Sequence, residues 1–305
     1  MLKVIVNILI ASFAGQIGIG EIGVNADDFQ LQPIVAGIWT ARGPERINKE
    51  NQGLKLTAES VLAVDKESFK VLFEKNADKK VSIASISKLA TILVFLDTKP
   101  DLEKIVYMTP EDEVGGARIR VARGESLRVE DLFYSSLIAS ANNAVMALVH
   151  STGMTEKEFM IKMNRKVKDL EMADTYLAEP TGLNMVNHST ARDVAHLIKA
   201  ALEDERIVEA LKMKEYSFRT VNTGRWVKAN NTDKLLSSFL NNGDGYEILG
   251  GKTGYTVEAG YCLAAGIKGK EGQEIIGVVL GSGSNYVRFQ EMKGLAWWVF
   301  NNWQW

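Results

Sequence analysis

The chain has 305 residues, 46% of them hydrophobic and 24% charged, with a formal net charge of -2 and a pI near 6.1. Such a composition excludes an intrinsically disordered chain, and 36 basic against 38 acidic residues exclude a nucleic-acid partner held by phosphate neutralisation. A single cysteine excludes an internal disulfide and a cysteine-rich metal site; Cys262 lies in the apolar run YCLAAGI and is expected to be a packed strand thiol.

At the N-terminus MLK supplies one positive charge, VIVNILIASFAG is nearly uncharged, and VNA precedes DDF. This pattern predicts an export signal, residues 1–26, cleaved after Ala26. The alternative is an uncleaved anchor, but Asn7, Gln16 and Glu21 leave the apolar run short of a hydrocarbon layer about 30 Å thick. With no later apolar run of spanning length, the body of the protein is expected to be exported, periplasmic or cell-wall associated. Any membrane contact would then come from the N-terminal segment alone.

Residues 27–56 carry Pro33, Pro44 and the mixed-charge run GPERINKENQG without a clear period, which predicts a linker or loosely packed extension. Residues 57–305 are expected to form the folded domain. SVLAVD and KVLFEKN read as a β-hairpin, a unit marginal in water without further strands. The missing partners are GGKTGYT, GYCLAAGIKG and EIIGVVLGS near the other end, so the economical fold is a five-stranded antiparallel sheet built from both ends of the chain. Between them, TEKEFMIKMNRKVKDL opens with a capping box of Thr155 and Glu158, and STARDVAHLIKAAL aligns Val194, Leu197, Ile198, Ala201 and Leu202. A last helix from about Asn285 aligns Phe289, Met292, Ala296, Val299 and Phe300. The predicted class is α/β of the α+β type: a sheet covered by helices, with a helical insertion.

Three stretches carry candidate chemistry. In VSIASISKLAT, Ser85 and Lys88 lie one helical turn apart, where an amine can take a hydroxyl proton. The plainer reading makes Ser85 a cap for the apolar stripe Leu89, Ile92, Leu93 and Leu96. In YSSLIASANNAVMALV, Ser140, Ala141, Asn142 and Asn143 interrupt an apolar helical pattern, which is costly if they are buried unpaired and ordinary if they end a helix. In GGKTG, glycines flank Lys252 and Thr253 on a strand and let its backbone approach a ligand closely. Ser-x-x-Lys, Ser-x-Asn and Lys-Thr-Gly in that order form the set used by β-lactamases and penicillin-binding proteins.

Over residues 57 to 303 the chain resembles the serine-type D-alanyl-D-alanine carboxypeptidases among the low-molecular-weight penicillin-binding proteins. The resemblance rests on NADKKVSIASISKLAT, ASANNA, EPTGLNMVNHSTARD and GGKTGYTVEAGYCL. Ser87 stands where the family commonly has Thr, and Ala141-Asn142-Asn143 where it commonly has Gly-Asn-Asp or Ser-Glu-Asn. Both departures keep the chemically required atoms. The resemblance implies a β-lactamase/transpeptidase-like fold, attack by Ser85 on the D-Ala-D-Ala bond of a peptidoglycan stem peptide, release of D-alanine and hydrolysis of the acyl-enzyme.

A serine needs a base, and Lys88 can serve only as a neutral amine; burial and a second cation, Lys252, would both depress its proton affinity. The resemblance further implies that Ser140 relays a proton to the leaving amine, Asn142 holds the substrate amide, and Lys252 with Thr253 orients the terminal carboxylate. The backbone N–H groups of Ser85 and Tyr255 would form the oxyanion hole. Arg288 is a further candidate for the carboxylate, against a plain surface arginine. Neither metal nor organic cofactor is implied, and His150, His188 and His196 lack metal-ligand spacing. β-Lactams are the expected acylating inhibitors.

Three rivals remain open. A D,D-endopeptidase would cleave cross-links with the same residues, a reading favoured by an end at Trp305 without the β-rich second domain and amphipathic tail of many carboxypeptidases. A class A-like β-lactamase would use Glu179 as its deacylating base, although Leu183 follows at a spacing one residue too long. A non-catalytic wall sensor would keep the pocket without the chemistry.

Overall fold

A computed structural model describes residues 43–305 apart from Asn48, Gln52 and Asp244. The expected export signal and residues 27–42 lie outside the described residues. In chain order the main elements are β1 (Ser60–Asp65), β2 (Val71–Lys75), α1 (Lys88–Asp97), α2 (Val129–Ile138), α3 (Asn142–Ser151), α4 (Glu156–Asp169), α5 (Ala191–Ala201) and α6 (Glu205–Lys212). The chain then returns through β3 (Glu247–Thr256), β4 (Gly260–Lys268) and β5 (Glu274–Ser282) and finishes in α7 (Asn285–Asn302).

The five strands make one antiparallel sheet in the order β3-β4-β5-β1-β2, so the hairpin from one end of the chain pairs with the three strands from the other. Alternation along each strand sends side chains to opposite faces. Leu62 and Val64 of β1, with Ile276, Val278 and Leu280 of β5, pack under the helices of the insertion. Val61 and Ala63, with Ile275 and Val279, pack against Phe289, Met292, Leu295, Ala296 and Val299 of α7. Covering both faces explains why these strands read as continuous apolar runs rather than alternating ones. The architecture is a sheet between helices, with the insertion running from α1 to α6.

Local signals agree with the elements they predict. Thr155 caps α4 reciprocally with Glu158, whose N–H donates to the Thr155 hydroxyl at 3.2 Å while Thr155 N–H donates to the Glu158 carboxylate at 2.9 Å. The buried stripe of α5 is Val194, Leu197, Ile198 and Ala201.

Part of the stretch expected to be a linker is built into the domain. Glu45–Arg46 pairs antiparallel with Trp303–Gln304. The Asn51 amide donates to Asn302 Oδ1, and its Oδ1 accepts from Trp298 Nε1, each at 3.0 Å. These contacts are made by amides and short backbone pairings, which leave no periodic apolar signal. No helix among the described residues is long and apolar enough to cross a membrane.

Candidate active site

Ala84–Ser87 forms one tight 3-10 turn leading into α1, and Ala84 sits in the left-handed region at φ +47. Neither this turn nor α1 has a side-chain cap, so Ser85 is not a capping serine. Its Oγ instead accepts a 2.7 Å hydrogen bond from Lys88 Nζ, which also donates to the carbonyl of Thr181. Lys88 is fully buried. Burial, and then the nearby Lys252 cation, hold its amine well below the ordinary lysine range, with Glu179 pulling weakly the other way.

Ser140 lies in the break between α2 and α3 with φ +55, a conformation in which a non-glycine residue is strained. Its hydroxyl receives a 2.8 Å hydrogen bond from Lys252 Nζ. Lys252 is also buried; desolvation, then the Arg288 charge, lower its pKa to about 7, partly offset by Asp233. The two serine–lysine pairs are therefore neighbours, close enough for the Lys252 charge to disfavour an ammonium at Lys88.

Glycines make the convergence possible. A Cβ on Gly254 would lie 2.7 Å from the Ile83 carbonyl oxygen and 3.2 Å from Ser85 N, so β3 can lie against the Ser85 turn only without a side chain there. On the other side of that turn, Gly182 (φ +83) would place a Cβ 2.7 Å from Ser87 Oγ.

Asn142 is held from both sides. Its N–H donates to Ala117 O at 2.6 Å and its Nδ2 to Gly115 O at 2.7 Å, leaving a buried Oδ1 without a partner. A buried acceptor of this kind is suited to a ligand N–H. Thr253 Oγ1 is 2.6 Å from Thr232 Oγ1. Tyr255 is half exposed and stacks on Tyr261 with centroids 4.3 Å apart, so any part it plays in oxyanion binding falls to its backbone.

Arg288 is not a surface arginine: it is buried, and its Nη1 donates to the carbonyls of Gly254 at 2.9 Å and Cys262 at 3.2 Å. It braces the β3–β4 pair behind Lys252. Cys262 is likewise buried, with burial raising its thiol pKa to about 11, as suits a packed strand cysteine.

Glu179 has a part the sequence did not disclose. One carboxylate oxygen accepts from Thr181 N and Oγ1, both at 2.6 Å; the other accepts from Gly182 N at 2.5 Å, Asn184 N at 3.2 Å and Asn187 Nδ2 at 3.0 Å. It is the hub of the loop that presents the Thr181 carbonyl to Lys88. Thr181, Thr232 and the buried Asp233 also escaped sequence reasoning. Asp233, with Oδ2 unpartnered and its pKa pushed up to about 6 by burial, lies where a Cβ on Gly251 would collide with it. Only EPTGL offered a signal, and its spacing, one residue too long for a lactamase base, left Glu179 without a role. Among the described residues no group of three His, Cys, Asp or Glu side chains is placed to hold a metal ion.

The sequence model of the D-alanyl-D-alanine carboxypeptidases matches residues 46–284. The chain belongs to that family. It is 30% identical to the D-alanyl-D-alanine carboxypeptidase DacF of Bacillus subtilis over 262 residues, covering 84% of this chain but only 65% of that relative. To the D-alanyl-D-alanine endopeptidase of Escherichia coli it is 31% identical, covering 80% of this chain and 78% of that one. Among solved structures it is similar to penicillin-binding protein D2 of Listeria monocytogenes in a cefotaxime-bound form, at 27% identity and TM-score 0.70, covering 81% of this chain and 99% of that one. The four segments singled out in the sequence lie within the family's matched range.

Proposed function

We propose that this chain is a serine D,D-carboxypeptidase that removes the terminal D-alanine from peptidoglycan stem pentapeptides through an acyl-enzyme. The observation that carries the reading is the 2.7 Å contact between a fully buried Lys88 amine and the Ser85 hydroxyl. A depressed proton affinity leaves Lys88 neutral, so it removes the Ser85 proton as Oγ attacks the D-Ala-D-Ala carbonyl. The N–H groups of Ser85 and Tyr255 receive the developing oxyanion, and a lost donor of this kind costs about 3 kcal/mol of barrier stabilisation. Ser140 relays a proton to the departing D-alanine amine, with Lys252 and Thr253 on its carboxylate and Asn142 Oδ1 on the substrate amide. Water then releases the acyl group. A β-lactam enters the same path and stops at the acyl-enzyme.

A D,D-endopeptidase is the second reading, favoured by 31% identity to the E. coli D-alanyl-D-alanine endopeptidase, comparable with the 30% to the B. subtilis carboxypeptidase. The lactamase reading loses its base, because both oxygens of Glu179 are committed to loop donors. Either peptidase reading places the protein outside the cytoplasmic membrane, in keeping with an export signal in residues 1–26. Incubation with an uncross-linked pentapeptide and a cross-linked dimer, side by side, tests the assignment. The expected result is faster loss of one D-alanine from the pentapeptide, abolished in Ser85→Ala. Faster cleavage of the dimer turns the assignment to the endopeptidase, and activity persisting in Ser85→Ala removes both.

A further inference from the structure

The turn that carries Ser140 and Asn142 is bolted to a loop with its own charge pattern, GGARIRVARGE, residues 115–125. Besides the two Asn142 bonds, Asn143 Oδ1 accepts from Ile119 N at 3.1 Å and its Nδ2 donates to Ile119 O at 3.0 Å. Ile119 is buried by this grip, and the arginines on either side of it, Arg118 and Arg120, are exposed.

Two adjoining cavities open at these arginines. One, of about 650 Å³, is lined by Arg118, Arg120, Arg225 and Asn143. The other, of about 510 Å³, shares the three arginines and runs from Ala139 to Trp226 and Asn230. Ala139 is the residue before Ser140, so the second cavity begins about 3.8 Å along the backbone from the proposed proton relay. Asn230 stands two positions before Thr232, the partner of Thr253.

Most charges around these cavities are already matched. Arg225 Nε lies 2.9 Å from Glu125, Lys228 lies 2.6 Å from Glu215, and Glu113 faces Arg123 at 3.7 Å. Among the described residues no acidic side chain pairs with Arg118 or Arg120. Two unmatched guanidiniums on a loop held rigidly against the site form a fork suited to a carboxylate. The terminal carboxylate of the substrate is assigned to Lys252 and Thr253, so an anion received here belongs to another part of the peptide.

We propose that Arg118 and Arg120 bind a free side-chain carboxylate on the residue preceding D-Ala-D-Ala, making the chain prefer such peptides over those with the same side chain amidated. The inference rests on the peptidase reading and names the substrate class of that site. It is tested by kcat/KM for two synthetic pentapeptides that differ only in that carboxylate or amide, with wild type, Arg118→Gln, Arg120→Gln and the double variant. The expected result is a wild-type preference of about tenfold for the carboxylate, worth one charge-assisted hydrogen bond, falling toward one in the double variant and shrinking with added salt.

A wild-type ratio of one, or a ratio unchanged in the double variant, overturns the assignment. So does an unchanged ratio accompanied by lost retention on immobilised polyphosphate, which would give the arginines to an anionic polymer. Acylation by a fluorescent penicillin separates the two levels. Wild type that fails to acylate removes the peptidase reading, whereas normal acylation with no preference removes only the role of the arginines, and acylation of the double variant reports that it is folded.

Discussion

Glu179→Gln separates a scaffolding carboxylate from a catalytic one. The native carboxylate takes five donors from residues 181 to 187, and an amide replaces one acceptor oxygen with a group that also donates. At least one backbone N–H then faces a donor, at a cost of roughly 2 kcal/mol. For a domain of this size that is a fall in Tm of roughly 4–8 °C. The same loop supplies the Thr181 carbonyl to Lys88, so its shift moves the base relative to Ser85 Oγ, and a displacement approaching 1 Å slows acylation by roughly ten- to a hundredfold. Losing the Glu179 charge also lowers the Lys88 proton affinity further, since that charge is what raises it. Stopped-flow measurement of acylation by a fluorescent penicillin, with release of the adduct followed separately, is the assay. Slower acylation with little change in adduct lifetime is expected. Normal acylation with a greatly prolonged adduct would refute the reasoning and make Glu179 the deacylating base.

Gly254→Ala should slow acylation more than it lowers Tm, because its Cβ meets the Ile83 carbonyl and the Ser85 turn; a loss confined to stability would contradict that geometry. The pH profile of kcat/KM should have an alkaline limb near 7, where free Lys252 loses the charge proposed to bind the substrate carboxylate, and Lys252→Arg should move that limb upward. Stability has the opposite dependence. Unfolded lysine takes up a proton below about 10.4 while folded Lys252 does so only near 7, so stability is lost as pH falls between these values, at about 1.4 kcal/mol per pH unit for this one proton. Denaturant melts at pH 8 and 9 should therefore show a shallower slope for Lys252→Met, and equal slopes would refute the depressed pKa.

The strands, the α4 cap and the order of the three motifs were legible because each depends on local spacing. Ser85, Lys88, Ser140 and Lys252 stood out as a candidate set because Ser-x-x-Lys, Ser-x-Asn and Lys-Thr-Gly occur in that order, whereas the burial of both lysines shows only in the fold. What escaped was cross-chain. The hydroxyl of Thr232 matters only because β3 brings Thr253 within 2.6 Å of it, and Arg288, a candidate in the sequence for the carboxylate or for the surface, shows its contact with the Gly254 carbonyl only once α7 packs on the sheet. Glu179 was visible in the sequence, where its spacing to Leu183 already spoke against a lactamase base, but spacing says nothing about which donors will point at its oxygens. The described stretch before Leu56 was hidden for a similar reason, its partners being amides near the end of α7.

The strand order has a consequence for biogenesis. Ser85 and Lys88 are synthesised long before β3, yet β3 supplies Lys252 and the backbone against which the Ser85 turn is seated, and it joins the sheet through β4 and β5 to β1. A nascent or partly threaded polypeptide therefore lacks the proposed Tyr255 donor and the second ammonium that, after burial, disfavours a charge on Lys88. On the proposed reading, the site is complete only with the last strands, which makes closure of the sheet the step that arms it.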